Sequence, residues 1–304
     1  MLTETELRIL GTLEVGEGRS VADIAEALES DEGHVSRVVG KLERKRLVET
    51  ERGRRKIVRL RDSKAMEIYR RVRENHTHVD FSEVLKGKAV PVLYCLGERR
   101  KVSEIAEETG IHRTTVYRLV RKLLQRGIIR KENSGYVLKE EFIELNSFAE
   151  EYVHHLHMNM SGEEYTILWE SLDEFLVQSK EEIEENNFLV TGPGLFESFG
   201  IPLLTKGRKH YFYTERTEEV TPRELVCHML LIDSGTRYQS YCMLLIIKED
   251  LEPGELIEEA EKYGLVEVVE SMNSYLESKG EEKRHEQPEW EELEKLAEEY
   301  GVSL

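Results

Sequence analysis

Val21-Ala-Asp-Ile-Ala-Glu26 and, 81 residues further on, Val102-Ser-Glu-Ile-Ala-Glu107 are two copies of one element. At that constant offset Val35, Arg37, Val39, Lys41 and Leu42 meet Val116, Arg118, Val120, Lys122 and Leu123, which makes nine identities over 29 ungapped positions. Most other apolar positions stay apolar, so the chain carries the same unit twice.

Both copies read in the same order. An apolar-periodic helix (Leu7, Ile9, Leu10, Leu13; then Val90, Val92, Leu93, Leu96) precedes a short helix over 21–28 or 102–108 with Ile-Ala on its inner face. A break follows, at Glu29-Ser30-Asp31 or Thr109-Gly110-Ile111. The next helix, 32–45 or 113–126, sets Val35, Val38, Val39 and Leu42, or Val116, Leu119, Val120 and Leu123, at helical spacing. Two helices joined by a tight turn, the second basic on its outer face, predict a helix-turn-helix. Beyond it, Leu47-Val-Glu-Thr-Glu51 and Lys56-Ile-Val-Arg-Leu60 flank Arg52-Gly-Arg-Arg55, while Ile128-Ile-Arg-Lys131 and Tyr136-Val-Leu138 flank Glu132-Asn-Ser-Gly135. β-favouring runs around glycine-containing turns are hairpins, which makes each unit a winged helix.

Val35-Ser-Arg-Val-Val-Gly-Lys-Leu-Glu-Arg-Lys-Arg-Leu-Val48 resembles the recognition helix and wing start of multiple-antibiotic-resistance-type and related prokaryotic and archaeal winged-helix regulators. Thr115-Val-Tyr-Arg-Leu-Val-Arg-Lys-Leu-Leu-Gln-Arg-Gly-Ile128 is similar to it. The resemblance covers roughly residues 5–62 and 85–139 and implies a tandem winged-helix transcription regulator that contacts DNA, with the target left open.

DNA recognition needs side chains that reach base edges from the outer face of the second helix, flanked by cations that neutralise phosphate. In the second copy, residues 111–131 contain Arg113, Arg118, Arg121, Lys122, Arg126, Arg130 and Lys131 and no acid. The candidate contacts there are His112, Arg113, Thr114, Thr115, Tyr117, Arg118, Arg121, Lys122, Arg130 and Lys131. The first copy offers His34, Ser36, Arg37 and Lys41 on the helix and Arg52, Arg54, Arg55 and Lys56 on the wing. Asp31 and Glu32 stand at its helix front, where an acid repels phosphate unless it caps the helix or reads a cytosine amine. The expected division of labour is helix-led reading by the second copy and wing-led anchoring by the first.

The 304 residues hold 43 Lys+Arg against 61 Asp+Glu, a net charge of −18 that is unevenly spread: +8 over residues 1–139 and −26 over 140–304. A polyanion suits only the first of these halves. The longest apolar run, Met243 to Ile247 beside Cys242, is far short of the roughly 20 residues that span a bilayer. The acidic start, Met1-Leu-Thr-Glu-Thr-Glu6, lacks the basic and apolar regions of a signal peptide. Cys95, Cys227 and Cys242 are odd in number and set in apolar surroundings, which fits reduced thiols. A cytoplasmic location is expected.

The expected fold is mainly α with small β-wings: two tandem winged helix-turn-helix domains followed by an α-rich (α+β) C-terminal domain. The expected boundaries are a first winged helix with its following helix over 1–75, a second over 76–139, helical connector or dimerisation helices over 140–186, and an acidic α-rich domain over 187–304. The connector reads as two helices. One is amphipathic over 140–158. The other runs from a capping box at Ser161-Gly-Glu-Glu164 through Ile167, Leu168, Leu172, Phe175 and Leu176 to about 183. Lys209-His-Tyr-Phe-Tyr-Thr214 reads as a strand, Thr221-Pro-Arg-Glu224 as a helix start, 238–248 as a buried helix, 281–287 as a charged linker and 288–300 as a last helix. The stretch from Val190 through Gly192-Pro-Gly194 to Val226 weakly resembles the C-terminal part of abortive-infection-type antitoxins, which pair a winged helix with a domain opposing a nucleotidyltransferase toxin.

Gly192-Pro193-Gly194 lacks the residues that would complete a phosphate loop, His154-His-Leu-His157 has nothing nearby to complete a metal set, and Cys227-His228 reads as core. No enzymatic activity, cofactor or metal is expected. The leading reading is a sequence-specific double-stranded DNA-binding regulator whose acidic domain dimerises, senses a ligand or recruits a protein. An antitoxin or adaptor binding a protein partner through the C-terminal domain is the alternative. Homodimerisation stays open.

Overall fold

The computed structural model describes residues 1–13, 17–161, 165–185, 187–203, 207–284 and 286–304, with Arg52 described by its backbone alone. The chain divides into two compact units, Met1–Met160 and Ser161–Leu304.

Capping residues start several helices of the first unit. Glu6 accepts from the Thr3 amide at 2.7 Å while the Thr3 hydroxyl accepts from Glu6, opening α1 (Glu4–Thr12). β1 (Arg19–Ser20) runs into a second reciprocal pair, Ser20 with Asp23, at the start of α2 (Val21–Ala27). Asp31 caps α3 (Glu32–Arg44), which buries Val35, Val38, Val39 and Leu42. The wing is β2 (Val48–Arg52) against β3 (Lys56–Leu60), and β1 adds to the other edge of β3, giving an antiparallel sheet of order β1-β3-β2. Then α4 (Lys64–Asn75) and the one-turn α5 (Phe81–Val84) lead to the second copy. It comprises α6 (Ala89–Cys95), α7 (Val102–Thr109), α8 (Arg113–Gln125) and the hairpin of β4 (Ile129–Glu132) with β5 (Gly135–Leu138). Glycine at 135 lets the Arg100 backbone come close: a Cβ there would lie 3.0 Å from the Arg100 carbonyl, which pairs with Tyr136 across a β-bridge. A 3-10 turn over Glu140–Phe142 precedes α9 (Glu144–Ser161).

Both copies share one apolar core. It runs without interruption from Leu2, just before α1, to Tyr152 in α9 and includes Val39, Tyr69, Leu93, Val120 and Phe148.

The second unit is α+β. β6 (Thr166–Glu170), β7 (Phe175–Ser179), β8 (Phe188–Thr191) and β9 (Lys209–Tyr213) form an antiparallel sheet of order β6-β7-β9-β8. Two 3-10 turns, Gly192–Gly194 and Phe196–Phe199, follow β8. Next come α10 (Pro222–Ile232), α11 (Thr236–Lys248), α12 (Pro253–Tyr263), α13 (Val266–Glu277) and α14 (Trp290–Glu299). Leu176 and Phe212 join the helices in one core, while Phe175, Val177, Phe188, Tyr211 and Tyr213 form a separate aromatic cluster. The Thr221–Glu224 capping box opens α10, and 236–248 is helical, both as the sequence predicts.

Two expectations need correction. Residues 166–179 are two strands, so the connector expected over 140–186 is helical only through α9. Phe175-Leu176-Val177 is buried in full, which erases the in-out alternation of a strand, and a bulge between Ile167 and Trp169 breaks what alternation remains. Of the capping box expected at Ser161–Glu164, residues 162–164 lie outside the described residues. The supposed linker over 281–287 ends in a fixed anchor: Gln287 is buried and donates to the Ser271 carbonyl and hydroxyl at 3.0 and 3.1 Å.

Two histidines are buried in the second unit, one tying the sheet to the helices and one bridging two strands. His228 bonds the Thr191 hydroxyl at 2.8 Å and the Tyr263 hydroxyl at 3.0 Å, and burial, with Lys262 nearby, pushes its pKa down to about 3. His210, beside Gln178 at 2.9 Å, is held down to about 4 by burial and Arg208. Both pKa values lie below those of the unfolded chain. Stability from these groups is therefore complete above about pH 6.5 and declines as the pH falls toward 4 and then 3, since the unfolded state takes up protons first. Urea unfolding of the second unit should show this loss from pH 6.5 downward. His228→Asn should remove one proton's share of the slope, about 1.4 kcal/mol per pH unit.

Candidate nucleic-acid interface

In the first copy the acid at the helix front is structural. The Asp31 carboxylate accepts the His34 amide at 2.9 Å, so it caps α3, with Glu32 exposed as the first helical residue. His34, Ser36, Arg37 and Lys41 are exposed, opposite the buried valines. Arg37 folds back on its own helix, its Nε donating to the Gly33 carbonyl at 3.2 Å. A cleft of about 640 Å³ gathers Glu32, Gly33 and Ser36 of α3, Ser20, Val21 and Ala22 at the start of α2, and Arg54, Arg55 and Lys56 of the wing. Lys56 leans 3.5 Å from Glu43, which also accepts the Thr50 hydroxyl. The side chain of Arg52 lies outside the described residues.

The second copy repeats this geometry with different chemistry. His112 caps α8, its Nδ1 accepting the Thr114 amide at 3.4 Å with the Thr114 hydroxyl 2.9 Å away. A cleft of about 560 Å³ brings Arg113, Thr114 and Tyr117 together with Lys101, Val102 and Ser103 of the α7 start and Lys131, Ser134 and Tyr136 of the wing. Tyr117 is 58% exposed, a large ring held out from the helix, and Arg118 and Arg121 are exposed beside it. Thr115 is half-buried, and Arg130 pairs with Glu132 at 3.8 Å on the exposed wing.

Lys122 is placed apart from these residues. Its ammonium donates to the Glu83 carbonyl at 2.9 Å and carboxylate at 2.7 Å, and Arg126 joins the same carboxylate at 3.7 Å. Hydrogen bonds from Lys122 and then Lys86 hold the Glu83 pKa down to about 2. The structure thus separates Lys122 from the exposed candidates, whereas it brings the helix front and wing together in each copy. Sequence reasoning overlooked Ser20, Lys101 and Ser103. The available signal was the spacing Ser20-x-x-Asp23 and Lys101-x-x-Glu104, where the Glu104 carboxylate accepts the Lys101 amide at 2.8 Å.

Residues 2–56 match the model of the MarR family, and residues 87–133 match that of the IclR helix-turn-helix domain. Both are DNA-binding regulator domains. The expected pair of winged helices is thereby borne out, and the matches support DNA-binding transcription regulation, from families that are regulators rather than enzymes. Residues 185–302 match HVO_2833_C, a C-terminal family. No curated protein matches the chain. Among the described residues no helix is long and apolar enough to cross a membrane, and no cluster of three or more His, Cys, Asp or Glu is arranged to hold a metal ion.

The cap at Asp31 separates two effects of one side chain. Asp31→Asn keeps an oxygen for the His34 amide and removes a charge that repels phosphate, so duplex affinity should rise severalfold with stability unchanged. Asp31→Ala should cost about 1 kcal/mol in urea unfolding. Fluorescence anisotropy on a labelled duplex checks the first expectation; tighter binding by the alanine variant but not the asparagine one would contradict it.

Proposed function

We propose that the protein is a sequence-specific double-stranded DNA-binding transcription regulator in which both copies touch the duplex. The observation that carries this reading is the pair of equivalent clefts, each formed by a recognition-helix front, the start of the preceding helix and a cationic wing. In the second copy Arg113 and Arg118 are the side chains suited to guanine edges, with His112, Thr114 and Tyr117 reaching neighbouring bases or phosphates and Arg121, Arg130 and Lys131 neutralising the backbone. In the first, Arg54 and Arg55 at the wing tip anchor the backbone or minor groove, with Arg52 and Lys56 beside them, and His34, Ser36, Arg37 and Lys41 face the major groove. The acidic half, at −26, is repelled by phosphate and acts away from the DNA, through dimerisation, ligand sensing or recruitment of a protein.

Duplex binding should fall steeply with salt, because each neutralised phosphate releases counterions; an adaptor or antitoxin acting through protein contacts alone would show no saturable duplex binding. Arg118→Ala should weaken binding by roughly 10-fold or more and relax sequence preference. Arg37→Ala should do less, since its Nε is already engaged by Gly33. Joint replacement of Arg54 and Arg55 by alanine should lower affinity on every sequence and flatten the salt slope by about 2. Equal impairment by Arg118→Ala and Arg37→Ala in a mobility shift would end the division of labour.

A further inference from the structure

The two recognition helices are both gripped near their C-terminal ends. Lys45, the residue that closes α3, offers its carbonyl to His155 at 2.8 Å and to Asn159 at 3.1 Å, both on α9. The opposite end of α9 is fixed to the second copy, where Asn146 donates to the Tyr94 carbonyl at 2.8 Å and the Leu93 carbonyl at 3.4 Å. At 1.5 Å per residue, α9 sets Asn146 about 14 Å from His155 and about 20 Å from Asn159. A second clasp centres on α5. Glu83 holds Lys122 and Arg126 in the last turns of α8, while Lys86, which also pairs with Glu83, reaches Glu4 of α1 at 2.8 Å. The Gly87 amide donates to the Leu2 carbonyl at 2.8 Å, and the uninterrupted core fills the space between the copies. None of these contacts uses the helix fronts, which stay exposed.

We propose that one chain is a rigid two-headed reader, recognising a bipartite duplex site of two unlike elements at a single spacing, with both elements bound by the same chain. The elements are unlike because the fronts are: Asp31-Glu-Gly-His-Val-Ser-Arg37 in one head and His112-Arg-Thr-Thr-Val-Tyr-Arg118 in the other. The spacing is single because binding by the first head makes binding by the second intramolecular, and a stiff connection contributes only where its span matches the site. The inference rests on the reading that both copies touch DNA and adds the geometry of the site they share.

Selection of tight-binding sequences from a pool of random duplexes with the full chain supplies the site, and the mass of the complex gives the number of chains on it. Two unlike elements per chain at one separation are expected. Inserting 5 base pairs between them turns one element about half a helical turn away. Affinity should then fall about 100-fold, to that of a duplex lacking one element. Glu83→Gln, which loosens the α5 clasp, should reduce this insertion penalty below 10-fold while leaving affinity for each isolated element unchanged; the insertion series on the unaltered protein stands whatever that variant does. Equal affinity at many spacings, a single element per chain, or two duplexes held by one chain would each overturn the proposal while leaving duplex recognition intact. Absence of saturable duplex binding would instead remove the functional reading beneath it.

Discussion

The ammonium of Lys45 lies 2.8 Å from the carboxylate of Glu6, which is only 1% exposed, and the same ammonium donates to the Met1 carbonyl. Burial alone would raise the Glu6 pKa, but the bonds from Lys45 and from Thr3 outweigh it and leave the group below its ordinary value, hence ionised. A desolvated pair of this kind is tolerable when further hydrogen bonds satisfy its remaining lone pairs and part of it stays in water, as Lys45 does at 26% exposure. The position of the pair matters more than its strength. It locks the end of α3 to the first helix, and the carbonyl of the same residue receives α9. A helix terminus with unpaired carbonyls is a weak point, and here side chains from more than a hundred residues away close it.

What was legible in the sequence was whatever depended on local spacing. The repeated Val-x-x-Ile-Ala-Glu, the apolar positions of α3 and α8, and the hairpins around Gly53 and Gly135 are all short-range signals, and the structure keeps them. β7 reads as helix because burial on both faces removes the alternation that distinguishes a strand, and β6 because a bulge between Ile167 and Trp169 interrupts it. At the interface the failure has another origin. A lysine on a recognition helix has the same chemistry whether it faces phosphate or a carboxylate 39 residues back, so Lys122 could be assigned only once Glu83 was in view. Asp31 was ambiguous for the same reason, and its contact with the His34 amide decides for the cap. The polar residues of α9, Asn146, His155 and Asn159, gave no sequence signal, because their partners are backbone carbonyls, which every residue has.

The two copies differ mainly in where they carry positive charge. The first concentrates it on a wing buttressed by the extra strand β1; the second carries it on the helix, with a two-stranded wing turning at Asn133 and Ser134. Matching two separate regulator families fits this divergence, since the shared framework of apolar positions sets the fold and leaves the outer surface free to change.

The capping of Lys45 by α9 also bears on the order in which the protein is made. The side chains that close α3 are 110 and 114 residues downstream, so the first winged helix leaves the ribosome with that terminus open. At ordinary rates of translation the wait is roughly 5–20 s. During that interval the apolar surface that will meet Phe148 and Tyr152 is bare, and the earliest part of the chain reaches its final state only when residues near 160 emerge. The last helix of the first unit is thus the step that completes its first domain.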